Sequence, residues 1–192
     1  MRTPTILQNQ ILKGVAIAAL LITLSPAVQA EVKESSAGGF TIKSTVTIHA
    51  SPADVYKRLV GEIGNWWSSG HTFSGDAHNL SIDERPMGCF CEKLPGGGAV
   101  RHMEIIFMQP GKTLRMTGAL GPMQTMAVSA VATFSLSPDP GGTRLDLTYT
   151  VGGYSPTGLD KIAPVVDTVL TEQITRLKNY IETGNPAGKD KQ

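Results

Sequence analysis

From Leu159 to Ile181 the chain spells out one long amphipathic helix. Leu159, Ile162, Ala163, Val166, Val169, Leu170, Ile174, Leu177, Tyr180 and Ile181 recur at three- and four-residue spacing and draw a single apolar stripe. Asp160, Lys161, Asp167, Glu172, Arg176, Lys178 and Glu182 fall mainly off it. A stripe of that length has to be buried, and the only large partner upstream is a run of strand-like segments. A helix laid across a curved antiparallel sheet encloses a cavity, so the pattern points to a binding pocket. Pro164 falls too late to start this helix unless its first turn is irregular, which predicts a kink there.

The strands are legible by alternation and by their punctuation. Phe40, Ile42, Val46 and Ile48 share one face of a first strand, with Thr41, Lys43, Thr45 and Thr47 on the other. Ser51-Pro52 then starts a helix, serine as cap and proline at the first helical position. Gly61 and Gly64 interrupt it before Asn65-Trp66-Trp67, and 67–78 is loop-like. Six further strands are predicted at 80–85, 88–94, 100–108, 113–120, 125–137 and 143–151, separated by Pro- and Gly-rich turns. Residues 31–38 read as a flexible lead-in, 39–184 as one domain, and 185–192 as a disordered polar tail.

The first thirty residues have the form of a secretory signal. Arg2 and Lys13 make a positive region, residues 14–24 an apolar one, and Val28-Gln29-Ala30 offers a small residue before cleavage. The apolar run is shorter than the roughly 18 residues a membrane span requires, and no second span follows. The expectation is a cleaved, periplasmic or secreted protein without a stable membrane anchor. A net charge of +1 provides no basic surface for nucleic acid.

The order of strand, short helices, six strands and long helix resembles the START-like superfamily, also called SRPBCC, near its polyketide cyclase/dehydrase and lipid-transport branch. The resembling residues are Val46-Thr-Ile-His-Ala50, Ser51-Pro-Ala-Asp-Val-Tyr56, Trp66-Trp67 and the C-terminal helix, which together span roughly 40–183. The resemblance implies an α+β helix-grip fold, a curved antiparallel sheet of about seven strands wrapped around the long C-terminal helix, with two short helices after the first strand. It also implies a cavity between sheet and helix. No catalytic motif runs through the branches of this superfamily, and it implies no cofactor.

Several residues bear on chemistry. Cys89 and Cys91 face the same way on a strand. They read as two buried small apolar side chains, as a disulfide, or as half of a metal site completed by His102 or Glu104. A straight strand opposes the disulfide, and a bulge at Gly88 would relieve that. In the segment 101–107, alternation puts Met103, Ile105 and Phe107 on the core side and leaves His102 and Glu104 in solvent. The other register points His102, Glu104 and Glu92 into the cavity, where they could do acid–base work. His71, Asp76 and His78 lie in the loop after the tryptophans, as functional or merely solvated groups.

Of the adjacent Trp66 and Trp67, one belongs in the core and the other at the cavity. Met103, Met108, Met116, Met123 and Met126 suit an adaptable apolar wall or ordinary core filling. Nucleophile, phosphate-loop and paired zinc motifs are absent.

Three functions follow. The first is binding of a small hydrophobic or amphipathic ligand, with Trp67, Phe90, Met116, Leu147, Tyr149, Val166 and Leu170 as contributors. The second is a cyclase- or hydrolase-type enzyme using His102 and Glu104. The third is a partner-binding module whose interior is filled. The sequence assigns no oligomeric state.

Overall fold

The computed structural model describes residues 29–188 of the 192-residue chain. The expected signal segment therefore lies almost wholly outside the described residues. Eight strands form one antiparallel sheet: β1 (Gln29–Ser36), β2 (Gly39–Ile48), β3 (Leu80–Ile82), β4 (Cys89–Lys93), β5 (Ala99–Gln109), β6 (Thr113–Gly118), β7 (Ala127–Asp139) and β8 (Gly142–Tyr154). Their order across the sheet is β1-β2-β8-β7-β6-β5-β4-β3. Two short helices, α1 (Pro52–Gly61) and α2 (Ile63–Trp66), follow β2, and α3 (Ala163–Thr183) closes the chain. This is the helix-grip architecture expected from the element order.

The eighth strand corrects the reading of 31–38 as a flexible lead-in. Residues 29–36 pair with β2 along the sheet edge, and only the turn at 37–38 separates the two strands. The segment is polar and lacks clean alternation, so its strand character comes from the backbone partner that β2 offers. The tail is corrected in part as well. Asn185 Oδ1 accepts from the Ala187 amide at 3.0 Å, and Asn185 Nδ2 donates to the Gly188 carbonyl at 2.9 Å, which folds 185–188 into an ordered turn.

The core forms where the inner faces of β2, β5, β6, β7 and β8 meet α1 and α3. Ile42, Ile48, Leu114, Leu145, Ile105 and Tyr149 from the sheet pack with Leu59, Ile174 and Leu177 from the helices. Ser51 caps α1 by accepting from the Asp54 amide at 3.2 Å, and Pro52 occupies the first turn, as its sequence signature predicts.

The kink expected at Pro164 does not occur. Leu159–Lys161 forms a separate 3-10 turn, and α3 begins at Ala163 with Pro164 in its first turn. There its missing N–H and fixed φ are an advantage. Gly184, in the left-handed region at φ 78°, ends the helix.

Candidate functional site

Two cavities lie between the sheet and α3. One, of about 20 Å³, sits in the centre of the core among Met116, Ala132, Phe134, Leu147, Tyr149 and Ile174. That is room for about one water molecule. The other measures about 480 Å³ and lies beyond it, towards the N-terminal half of α3. Its walls are Val166, Val169 and Leu170 from α3, Ile162 just before that helix, Trp67 and His71 from the loop after α2, Phe90 and His102 from the sheet, and Leu120, Met123 and Met126 from the β6–β7 connection. Phe73 and Val165 line it as well and are more than half exposed, which marks its mouth.

The contributors read from the sequence are spread over both, with Trp67, Phe90 and Leu170 lining each. Trp67, Phe90, Val166 and Leu170 line the large cavity. Met116, Leu147 and Tyr149 do not reach it; they face the central void. Among the methionines, Met123 and Met126 line the large cavity, and Met103 is packed in the core. Trp66 is buried in the core, its Nε1 donating to the Arg58 carbonyl at 3.1 Å. Trp67 turns to the cavity and donates from Nε1 to the His71 carbonyl at 3.1 Å.

The acid–base residues adopt neither of the two registers read from alternation. His102 and Met103 are neighbours in sequence and both are buried, whereas Glu104 points outward to Arg101 Nη1 at 2.8 Å and Phe107 is exposed. Two bulges explain this. Cys91 pairs with Arg101 and Phe90 with Met103, leaving His102 extra on β5; Ile105 pairs with Met116 and Phe107 with Arg115, leaving Ile106 extra. Each extra residue resets the inside–outside alternation. Gly118 lets β6 approach at this point: at φ 151°, a Cβ there would come within 2.4 Å of the His102 carbonyl oxygen.

The partner of His102 is therefore Glu92, not Glu104. The His102 Nε2–H donates to Glu92 Oε2 at 2.9 Å, and both side chains are buried. Gln124 Nε2 donates to His102 Nδ1 at 3.2 Å, which fixes the proton on Nε2 and leaves the imidazole neutral. Burial holds the His102 pKa below its ordinary value against the opposing pull of Glu92. Burial alone would raise Glu92. The hydrogen bonds from Ser74, Phe73 and His102 outweigh it and hold the carboxyl below its usual range. The His102 ring lies against Phe90 at 4.9 Å and Phe73 at 5.9 Å between ring centroids.

Glu92 also ties down the loop. Its oxygens accept from the Phe73 and Ser74 amides. From the other side α3 holds the same loop. Gln173 Oε1 accepts from the Ser68 amide at 2.8 Å, Glu172 meets His71 Nε2 at 3.0 Å, and Arg176 Nε donates to the Trp66 carbonyl at 2.9 Å. Sequence reasoning missed Gln173, although its polar side chain interrupts the stripe between Leu170 and Ile174. Asp76 and His78 stay exposed and pair with each other at 2.8 Å, capping the 3-10 turn Ala77–Asn79.

The cysteines sit on the other face of β4 from Phe90 and Glu92 and are half-buried, their sulfurs joined as a disulfide. The bulge beside them falls between Phe90 and Cys91 rather than at Gly88. A metal set combining them with His102 is not assembled, because His102 lies on the inner side. Among the described residues no cluster of three or more potential metal ligands forms, and no helix is long and apolar enough to cross a membrane.

An open antiparallel sheet gripping a long helix over an apolar cavity defines a ligand-binding or cyclase-like helix-grip protein. The chain belongs to the polyketide cyclase/dehydrase and lipid transport family, whose model matches residues 39–182. Solved structures share the fold at low identity. An uncharacterized protein from Rhizobium leguminosarum is 19% identical with a TM-score of 0.56, over 81% of this chain and 98% of that one. CalU16 from Micromonospora echinospora is 17% identical with a TM-score of 0.55, over 83% and 84%. Aha1 from Colwellia psychrerythraea is 20% identical with a TM-score of 0.53, over 75% and 97%. No curated protein matches the chain.

Proposed function

We propose that this protein is an exported carrier or receptor for a small, neutral, largely apolar molecule held between α3, the 67–73 loop and β4–β5. The observation that carries this reading is the 480 Å³ cavity, within the range of about 300–1,000 Å³ usual for small-molecule sites. The polar side chains on its walls are already engaged by the protein. His102 is bonded at both nitrogens, His71 by Glu172, and the Thr72 hydroxyl donates to the Ser69 carbonyl at 2.8 Å. A ligand with a charge or many hydrogen-bonding groups would be desolvated without compensation. An apolar one gains about 25 cal/mol per Å² buried. Export rests on the signal-like residues 1–30 and places the working protein in a periplasm or outside the cell.

The test is native mass spectrometry of protein purified from its own source, paired with titration of the neutral fluorophore N-phenyl-1-naphthylamine. A co-purifying small molecule that the fluorophore displaces is the expected result. A ligand-free protein that does not enhance the fluorophore's emission refutes the reading.

A second reading, an enzyme of cyclase or hydrolase type, is favoured by the buried Glu92–His102 pair at the cavity wall. A carboxylate that orients a neutral imidazole is the arrangement of a general base, provided Gln124 yields Nδ1 to a substrate. His102→Gln separates the two readings. A carrier keeps its ligand, whereas an enzyme keeps binding and stops converting what it binds.

A further inference from the structure

The outer face of β4 carries a second chemical feature, unconnected with the cavity's contents. The Cys89–Cys91 disulfide closes a ring across a single residue, with Cα atoms 5.3 Å apart. A ring so small removes little freedom from the unfolded chain, and β4 is already laddered to β3 on one side and β5 on the other. Stapling the fold does not account for this bond.

The two sulfurs have unequal surroundings. Cys91 pairs with Arg101 across β5 and with Ser81 across β3. Cys89 pairs with Glu104 across β5, and on its other side the Asp83 amide donates to the Cys89 carbonyl at 3.0 Å. Paired residues share a face of the sheet, with Cβ atoms about 5 Å apart. Cys91 therefore lies opposite Arg101 on the sheet, and Cys89 opposite Glu104. Arg101 and Glu104 bond to each other at 2.8 Å along the same surface, and Arg85 reaches Asp83. A cation stabilises a thiolate and carboxylates oppose one, so the pair is polarised towards Cys91.

We propose that Cys89–Cys91 is a thiol–disulfide exchange site for small external dithiols, with Cys91 as the sulfur that leaves. One thiolate of the dithiol attacks Sγ of Cys89. The Sγ–Sγ bond breaks, and its electron pair departs on Cys91 as a thiolate beside Arg101. The reagent's second thiolate then attacks the reagent sulfur of the mixed disulfide and releases Cys89. The dithiol ends as a cyclic disulfide, having lost two electrons and two protons, and the chain has gained them as two thiols. Run backwards, the Cys91 thiolate closes the bond on Cys89.

The test treats the folded protein with dithiothreitol at neutral pH without denaturant, traps the thiols and reads the mass. The expected result is a gain of two hydrogen atoms, reversed by oxidised dithiothreitol, with an unchanged far-ultraviolet circular dichroism spectrum. In the reduced protein, limiting iodoacetamide labels Cys91 ahead of Cys89. Arg101→Gln slows opening about threefold and abolishes that preference, and Arg101→Lys restores both. A bond that opens only in denaturant overturns the assignment, as does a labelling order that Arg101→Gln leaves unchanged.

Discussion

His102 spends its two nitrogens on Glu92 and Gln124, and this commits the residue to being neutral inside the folded protein. Unfolded, the same imidazole takes a proton near pH 6.5. Because burial lowers its folded pKa, the unfolded chain binds more protons below that pH, and stability is lost as the pH falls. Glu92 works in the same direction but lower down. Its folded pKa lies below the ordinary carboxyl value, so its contribution is present above that value and drains away as acid titrates it. The expected outcome is a fall in urea-unfolding stability as the pH drops from 7 to 5 that His102→Gln removes. An equal slope in wild type and variant would place the titrating group elsewhere.

At the scale of elements, the loop between α2 and β3 is the part whose position is built rather than inherited from the sheet. Gln173, Glu172 and Arg176 hold it from α3 and Glu92 from β4, so it forms a wall of the cavity without regular structure of its own. Removing one clasp should loosen one end only. Gln173→Ala leaves the Ser68 amide without its acceptor, and amide hydrogen exchange there is expected to speed up about five- to tenfold while the β7–β8 ladder is unaffected. Uniform acceleration across both would mean that Gln173 acts on the whole fold.

The same elements show what was readable in advance. The six strands after α2, the Ser51-Pro52 helix start and the C-terminal stripe announce themselves by period and punctuation, since they answer to local physics. β1 does not, because a polar edge strand is made by its neighbour. The inward turn of His102 is invisible to alternation for a similar reason. Bulges on β5 depend on how two strands meet, and the lone trace of this one in the sequence is Gly118, whose missing Cβ admits the His102 carbonyl.

For the molecule as a whole, the question is why an interior so well packed around Leu114, Leu145 and Leu177 leaves 480 Å³ unfilled a few residues away. Such a cavity forgoes packing on the order of several kcal/mol, a cost that nothing in the architecture requires. Val166 and Val169 are the levers, being half-buried on the cavity wall. Val166→Phe extends a ring into the space and buries apolar area worth roughly 1 kcal/mol. If the cavity is a site bought at the expense of stability, this variant has an unchanged or higher melting temperature and binds N-phenyl-1-naphthylamine at least about tenfold more weakly. Val166→Ala should cost less than about 1 kcal/mol, because it widens a space already present instead of opening a new one. A Val166→Phe protein that is destabilised by several kcal/mol would show that the helix and loop close on one another in solution, and that the wall at Val166 is packed core.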